Sequence, residues 1–167
     1  MKKLIFHFGA HKTASTSIQR YANTSVASDE SFTGQEYIGP ELMNKKPLKW
    51  LHNIARDEYT SAQIQTACNQ ISEYLEATEC NEIFISNENM LGSMIGISPY
   101  MYPYVEQLLR LIELLQNSYE IEGLLFLREQ ASFLQSCYQF RVATGMTMDM
   151  ATFLDWIVLD SLSWLSM

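Results

Sequence analysis

Apolar residues along this chain follow two spacings that alternate from start to end. Short apolar runs at residues 4–8, 82–86 and 120–127 predict buried strands, and residues 37–40 predict a shorter strand that ends in a turn. Between them, residues 61–77 and 104–117 carry apolar side chains every three or four positions, which predicts helices. Helices are also expected at 15–23 and 48–55, and the polar residues 24–35 predict a loop. Such alternation predicts an α/β domain with a parallel β-sheet flanked by helices.

The segment between the first strand and its helix has the residues of an anion-binding loop. Gly9 allows a sharp turn at the strand's end, and Lys12 follows at the tip. The first helical turn offers unpaired N–H groups and the positive end of a helix dipole, which attract anions. Hydroxyl groups are added there by Thr13, Ser15, Thr16 and Ser17. The ATP-binding pattern GxxxxGK[ST] is absent. Lys12 lies only three residues after Gly9, and the residue immediately before Lys12 is not a glycine.

The order Gly-x-x-Lys-Thr-x-Ser-Thr-Ser over residues 9–17 resembles the 5′-phosphosulfate loop of sulfotransferases that use 3′-phosphoadenosine 5′-phosphosulfate (PAPS). The His-Lys-Thr sequence at residues 11–13 is especially similar to the bacterial members. The usual family pattern has Gly where this chain has Ala14. The resemblance implies that the cofactor is bound by Gly9, His11, Lys12, Thr13, Ala14, Ser15, Thr16 and Ser17.

A second similarity to this family lies at the end of the strand predicted for residues 120–127. The family's 3′-phosphate motif has an Arg there and a Ser eight residues later, and Arg128 and Ser136 have this spacing. A guanidinium can grip a phosphate through two parallel hydrogen bonds, and a Ser two helical turns further on can add a hydroxyl. The resemblance therefore implies that Arg128 and Ser136 bind the 3′-phosphate of PAPS. It extends over about residues 3–145 and implies a P-loop nucleoside-triphosphate-hydrolase-like three-layer architecture.

The resemblance implies transfer of a sulfuryl group from PAPS to a hydroxyl or amine acceptor, such as a carbohydrate. This reaction needs charge neutralisation, an in-line acceptor and a base for the acceptor's proton. Lys12 is the expected neutralising group. Glu88, just past the strand at 82–86, is the first candidate base, His52 the second and Glu41, in a region that also holds Glu36, the third.

Two of the candidate bases and one group of lysines also have a structural interpretation. Glu88 would serve equally as a loop or capping carboxylate, and His52, beside Trp50 and Leu51, as a packing residue. The lysines at 45, 46 and 49 are either solvated surface charge or a site for an anionic acceptor such as an acidic glycan.

Composition limits the remaining classes of function. The chain has 167 residues, about one domain, and a net charge of −8, which argues against a nucleic-acid partner. Its three cysteines and three histidines have no metal-ligand spacing, so no metal is expected. The N-terminus lacks the features of a secretory signal and no apolar run predicts a membrane span, so we expect a cytoplasmic protein.

Two further functions remain open: an inactive or truncated domain that binds PAPS or another nucleotide, and a small-molecule kinase with a P-loop. Relatives in the resembled family continue beyond the length of this chain. Residues 1–167 are therefore expected to form a single sulfotransferase-like domain that lacks its C-terminal part. The apolar residues 153, 154, 157, 158, 162 and 165 have helical spacing, so a helix with a partly uncovered apolar face is expected there, favouring a homo-oligomer or a missing C-terminal segment.

Overall fold

The computed structural model of the chain describes residues 1–9, 13, 15–28, 34–158 and 161, without the side chains of 26–28. Its sheet contains β1 (Lys3–Gly9), β2 (Gln35–Ile38), β3 (Glu82–Ser86) and β4 (Glu120–Phe126). Among the described residues the strand order is β2-β3-β1-β4, and every pair is parallel. The prediction of an α/β domain with a parallel sheet is confirmed.

The helices follow the strands along the chain. They are α1 (Ser15–Ser28), α2 (Pro40–Met43), α3 (Lys49–Asn53), α4 (Ser61–Ala77), α5 (Val105–Leu115), α6 (Gln130–Ala143) and α7 (Met150–Trp156). The start of α4 is fixed by a capping box, in which Thr60 and Gln63 satisfy each other's backbone N–H groups. Within the described part of the chain, every helix falls short of the length and apolarity that crossing a bilayer requires.

The order of the strands sets which helices cover each face of the sheet. The connection from β1 to β2 runs in the opposite direction across the sheet from those that lead to β3 and β4. Because crossovers between parallel strands are right-handed, α1 lies on one face and α4 and α5 on the other. Contacts between α4 and α5, and between α1 and β2, agree with this arrangement.

The main core lies on the face covered by α4 and α5. Leu4 and Phe6 of β1 are level with Ile83 and Ile85 of β3, and all four are fully buried. The apolar stripe of α4 packs there as its spacing predicts, with Ile71 and other residues buried. The alternate residues of β1, among them His7 and Gly9, face α1 instead.

Two boundary predictions were wrong. The first helix was expected to end near residue 23 and a loop to begin at residue 24, but α1 continues to Ser28. The Thr24 hydroxyl donates to the carbonyl of Arg20, so this polar side chain is satisfied within the helix. The polar sequence alone predicted a loop, because a sequence pattern does not show that a side chain will bond to the helix backbone.

The strand β4 is much less buried than its apolar sequence predicts. It pairs with β1 on one side and is an edge strand of the described sheet. Its residues Leu124, Leu125 and Phe126, together with Leu127, are between 44% and 50% exposed. An apolar sequence indicates that a strand can be buried, but the position of the strand in the sheet decides how much of it is covered. At the edge of the described sheet, β4 is only partly covered.

A partly uncovered apolar face was expected on the last helix, and its described residues are buried to different degrees. The helix ends at Trp156, and its residues Phe153 and the following Ile157 are buried, while Leu154 is 37% exposed. Phe153 packs against Tyr138 of α6, with ring centroids 5.4 Å apart. The expected residues Leu162 and Leu165 lie outside the described residues.

Candidate functional site at the carboxyl end of the sheet

At the predicted site, the end of β1 lies close against the start of α1. A Cβ atom at Gly9 would overlap the Ser15 side chain, whose own Cβ would lie 2.8 Å away. Glycine is therefore needed at position 9 for α1 to begin this close to the strand. Ser15 is only 2% exposed, and its hydroxyl has no hydrogen-bond partner among the described residues. A buried hydroxyl without a partner costs stability, so a bound ligand would gain by accepting a hydrogen bond from it.

Glu88 lies beside the end of β1. Its Cβ is 3.7 Å from the position that a Cβ at Gly9 would occupy. The register explains the proximity: His7 of β1 is level with Ser86 of β3, so Gly9 and Glu88 both lie two residues beyond that pair. Parallel strands thus bring a glycine and a carboxylate from distant parts of the sequence to one edge.

The loop that carries Glu88 is held by Asn87, a residue for which the sequence analysis predicted no role. Asn87 is 1% exposed, and its Oδ1 accepts from the backbone N–H of Asn89 at 2.9 Å. Its Nδ2 contacts Met43 Sδ at 3.3 Å and His52 Nδ1 at 3.4 Å. Arg56 Nη2 donates to Asn89 Oδ1 at 2.7 Å, which fixes the other side of the loop. Glu88 therefore projects from a backbone that α2, α3 and Arg56 hold in place.

His52 belongs to this support. Because Asn87 Oδ1 accepts from a backbone N–H, the amide presents its Nδ2 donor to His52 Nδ1, and the imidazole lone pair is engaged there. Burial, together with the charges of Arg56 and Lys49, lowers the pKa of His52. The imidazole is thus neutral at neutral pH, with its accepting nitrogen directed at Asn87. This geometry favours the packing interpretation of His52 over a role as base.

Glu41 lies in a different part of the site. It lines a cavity of about 300 Å³ between α1 and the segment that joins β2 to α2. The cavity reaches the first turn of α1 at Thr16, and its wall includes Tyr37 and Gln19. Gln19 Nε2 is buried and has no hydrogen-bond partner among the described residues. Such a cavity offers both donors and acceptors to a small polar molecule next to the predicted anion loop.

The buried His7 lies beneath this edge of the sheet. Its Nδ1 forms a 2.8 Å hydrogen bond with Ser86 Oγ, and its ring packs against Phe84 and Phe126. His7 Nε2 is buried without a partner in the described part of the chain. Burial lowers the pKa of His7, so the imidazole is neutral at neutral pH.

The predicted 3′-phosphate residues lie at the neighbouring strand end. Gly9 is level with Phe126 of β4, and Arg128 follows two residues later. Arg128 Nε donates to Ser132 Oγ at 3.1 Å. Ser136 lies one helical turn beyond Ser132 along α6 and is partly buried. The family resemblance implied Ser136, and the structure places Ser132 in contact with Arg128.

The N-terminus of α6 is already capped by a carboxylate. Glu129 accepts from the backbone N–H groups of Ala131 and Ser132, both at 2.8 Å. These bonds lower the pKa of Glu129, so the group is ionised at neutral pH. An anion near Arg128 would therefore be bound by side chains, because the helix N–H groups are occupied.

Of the other predicted cofactor residues, Thr13 is partly buried, while Thr16 and Ser17 in the first turn of α1 are exposed. His11, Lys12 and Ala14 lie outside the described residues. In the described ranges, no three His, Cys, Asp or Glu side chains converge as metal ligands. Comparison of the chain with protein-family models and with curated protein sequences found no match.

We expect the buried His7 to make folding stability depend on pH. Because the folded state holds its pKa below the ordinary 6.5, the unfolded chain takes up the proton first as pH falls. The stabilising contribution is complete above pH 6.5 and is lost as pH falls from 6.5 through the folded pKa. Urea denaturation between neutral and mildly acidic pH should show this loss, and His7→Gln, which cannot titrate, should show less of it.

His52 is the internal control for this experiment. Its pKa is also lowered, and it is present in both the unaltered chain and His7→Gln, so its contribution to the pH dependence is common to the two proteins. NMR titration of the imidazole resonances gives the pKa of His7 directly. A pKa for His7 above 6.5 would contradict this account.

Proposed function

We propose that this chain is a PAPS-dependent sulfotransferase that transfers a sulfuryl group to a hydroxyl or amine acceptor. The supporting observation is the buried hydroxyl of Ser15, which has no hydrogen-bond partner among the described residues. Ser15 is the first residue of the 14-residue helix α1 and lies against Gly9. A helix N-terminus attracts an anion, and a hydroxyl without a partner adds a directed donor to it. Together they suit the 5′-phosphosulfate end of the donor.

The second end of the donor would bind at Arg128. A guanidinium is suited to bidentate contact with a phosphate, and the hydroxyls of Ser132 and Ser136 lie along the same helix face. The anion loop and Arg128 follow adjacent strands of the sheet, β1 and β4, at the same edge. This placement supports a cofactor with one anionic group at each end. A P-loop-type three-layer architecture is part of the proposal, supported by helices on both faces of the parallel sheet.

The acceptor would enter the cavity between α1 and α2, where hydroxyl, amide and carboxylate groups surround a space of about 300 Å³. PAPS supplies the sulfuryl group and a bisphosphate leaving group. Lys12 would offset the negative charge at the phosphosulfate, and Glu88 would take the acceptor's proton. Glu88 is the preferred base because it lies beside Gly9 and Ser15, where the anion would be bound. Glu41, on the cavity wall, is the alternative.

The proposal predicts a preference for a nucleotide with a 3′-phosphate. The full chain should bind 3′-phosphoadenosine 5′-phosphate more tightly than adenosine 5′-phosphate in isothermal titration. Arg128→Ala should weaken binding of the bisphosphate by about 2 kcal/mol, the value of a charge-assisted hydrogen-bonded pair, and affect the monophosphate much less. Arg110→Ala is the matched control, because Arg110 pairs with Glu113 on the exposed face of α5. Equal affinities for the two nucleotides would exclude the 3′-phosphate site.

The identity of the base is tested by turnover. Glu88→Gln should preserve affinity for the bisphosphate and lower sulfuryl transfer by about a hundredfold or more, the usual contribution of a general base. Glu41→Gln and His52→Ala should have smaller effects. Near-normal turnover of Glu88→Gln would assign the role to another group. Bisphosphate binding without any transfer by the unaltered chain would identify a donor-binding domain without this activity.

A further inference from the structure

A second cavity lies beside α3 and has a different chemical character from the candidate site. Its volume is about 310 Å³, within the range of small-ligand sites. Two lysines, two aromatic residues and two amides line it: Lys46, Lys49, Trp50, Tyr59, Asn53 and Gln70.

The side chains that line this cavity carry positive charge, although the chain as a whole is acidic. The chain carries a net charge of −8, yet no carboxylate is among the residues that line the cavity. Lys46 and Lys49 are exposed, so their ammonium groups can move to a ligand without losing a buried partner. Local positive charge in an acidic protein favours a small anion over an extended polyanion, which the remaining surface would repel.

The aromatic wall of the cavity is held from two sides. Trp50 Nε1 donates to Gln70 Oε1 of α4 at 2.8 Å, and the Trp50 ring packs edge to face with Tyr59 at 5.5 Å. The backbone N–H of Tyr59 donates to Gln107 Oε1 of α5 at 2.6 Å. A wall fixed in this way loses little conformational entropy when a ligand packs against it.

The cavity and the candidate site lie on opposite sides of α3. At 3.6 residues per turn, Lys49, Trp50 and Asn53 share one side of this helix, and Leu51 and His52 share the other. His52 contacts Asn87 beside Glu88, whereas Trp50 and Asn53 line the cavity. Binding in the cavity is therefore a property separate from the proposed transfer reaction.

We propose that this cavity binds an acidic saccharide, through one sugar unit that carries a carboxylate or a sulfate. The lysines pair with the acidic group, and the aromatic wall contacts the apolar face of the sugar ring. The amides of Asn53 and Gln70 and the Tyr59 hydroxyl supply donors and acceptors for several ring hydroxyls, which a planar aromatic anion would not use. Burial and the charge of Asp57 raise the pKa of Tyr59, so its hydroxyl remains a neutral donor.

The test is isothermal titration of the full chain with a glucuronic-acid-containing disaccharide and with a neutral disaccharide of the same size. Only the acidic disaccharide should bind measurably. The double variant Lys46→Gln/Lys49→Gln should weaken binding by about tenfold or more, since two charge-assisted contacts are removed. Lys45→Gln, which removes one positive charge at a neighbouring position outside the cavity, should change the affinity by less than about twofold.

Trp50→Phe provides a second readout that leaves an aromatic ring in the wall. The chain has three tryptophans, and the fluorescence change that the acidic disaccharide causes should disappear in this variant while remaining in Lys45→Gln. Equal binding of the neutral disaccharide would overturn the proposal, as would an equal loss in Lys45→Gln. Tighter binding of benzoate or adenosine 5′-phosphate at the same lysines would also overturn it, because the cavity would then select an aromatic anion.

Discussion

The candidate site depends on how closely α1 begins beside the end of β1. Only a glycine at position 9 leaves room for Ser15 there, and the same contact buries the Ser15 hydroxyl without a partner among the described residues. Native proteins seldom retain such a group in the absence of a ligand or a functional reason. A helix N-terminus alone would be a weak argument for anion binding, and the buried donor beside it makes the argument specific.

The sheet determines which groups share this site. Because β1 lies between β3 and β4, its carboxyl end is flanked by Glu88 on one side and by the segment that leads to Arg128 on the other. The two flanks are built differently. Asn87 anchors the Glu88 loop through buried contacts, whereas Arg128 is exposed and lies beside a helix whose N-terminus Glu129 already caps. An anion at the start of α1 would be bound by backbone N–H groups of the first helical turn, whereas an anion at Arg128 would be bound by side chains.

Sequence patterns predicted the elements well where a local signal exists. The helix α4 and the strand β3 have the predicted bounds, because a long apolar stripe and a compact apolar run are each unambiguous. The exposure of β4 was not predictable, since it depends on the strand's place at the edge of the sheet. The proximity of Gly9 and Glu88 is explained by the register of the parallel strands β1 and β3. The contacts of Asn87 and Ser132 were not predictable, because they join side chains that the sequence gives no means of pairing.

The central claim is that the turn from β1 to α1 binds the 5′ end of an anionic donor. Backbone amide NMR of the full chain during titration with 3′-phosphoadenosine 5′-phosphate tests it most directly. The account predicts saturable shifts at Gly9, Thr13 and Ser15, with smaller changes at Glu88 and near Arg128, and loss of the first group of shifts in Ser15→Ala. Saturable shifts confined to residues around Trp50, or the absence of saturation at the β1–α1 turn, would contradict the account.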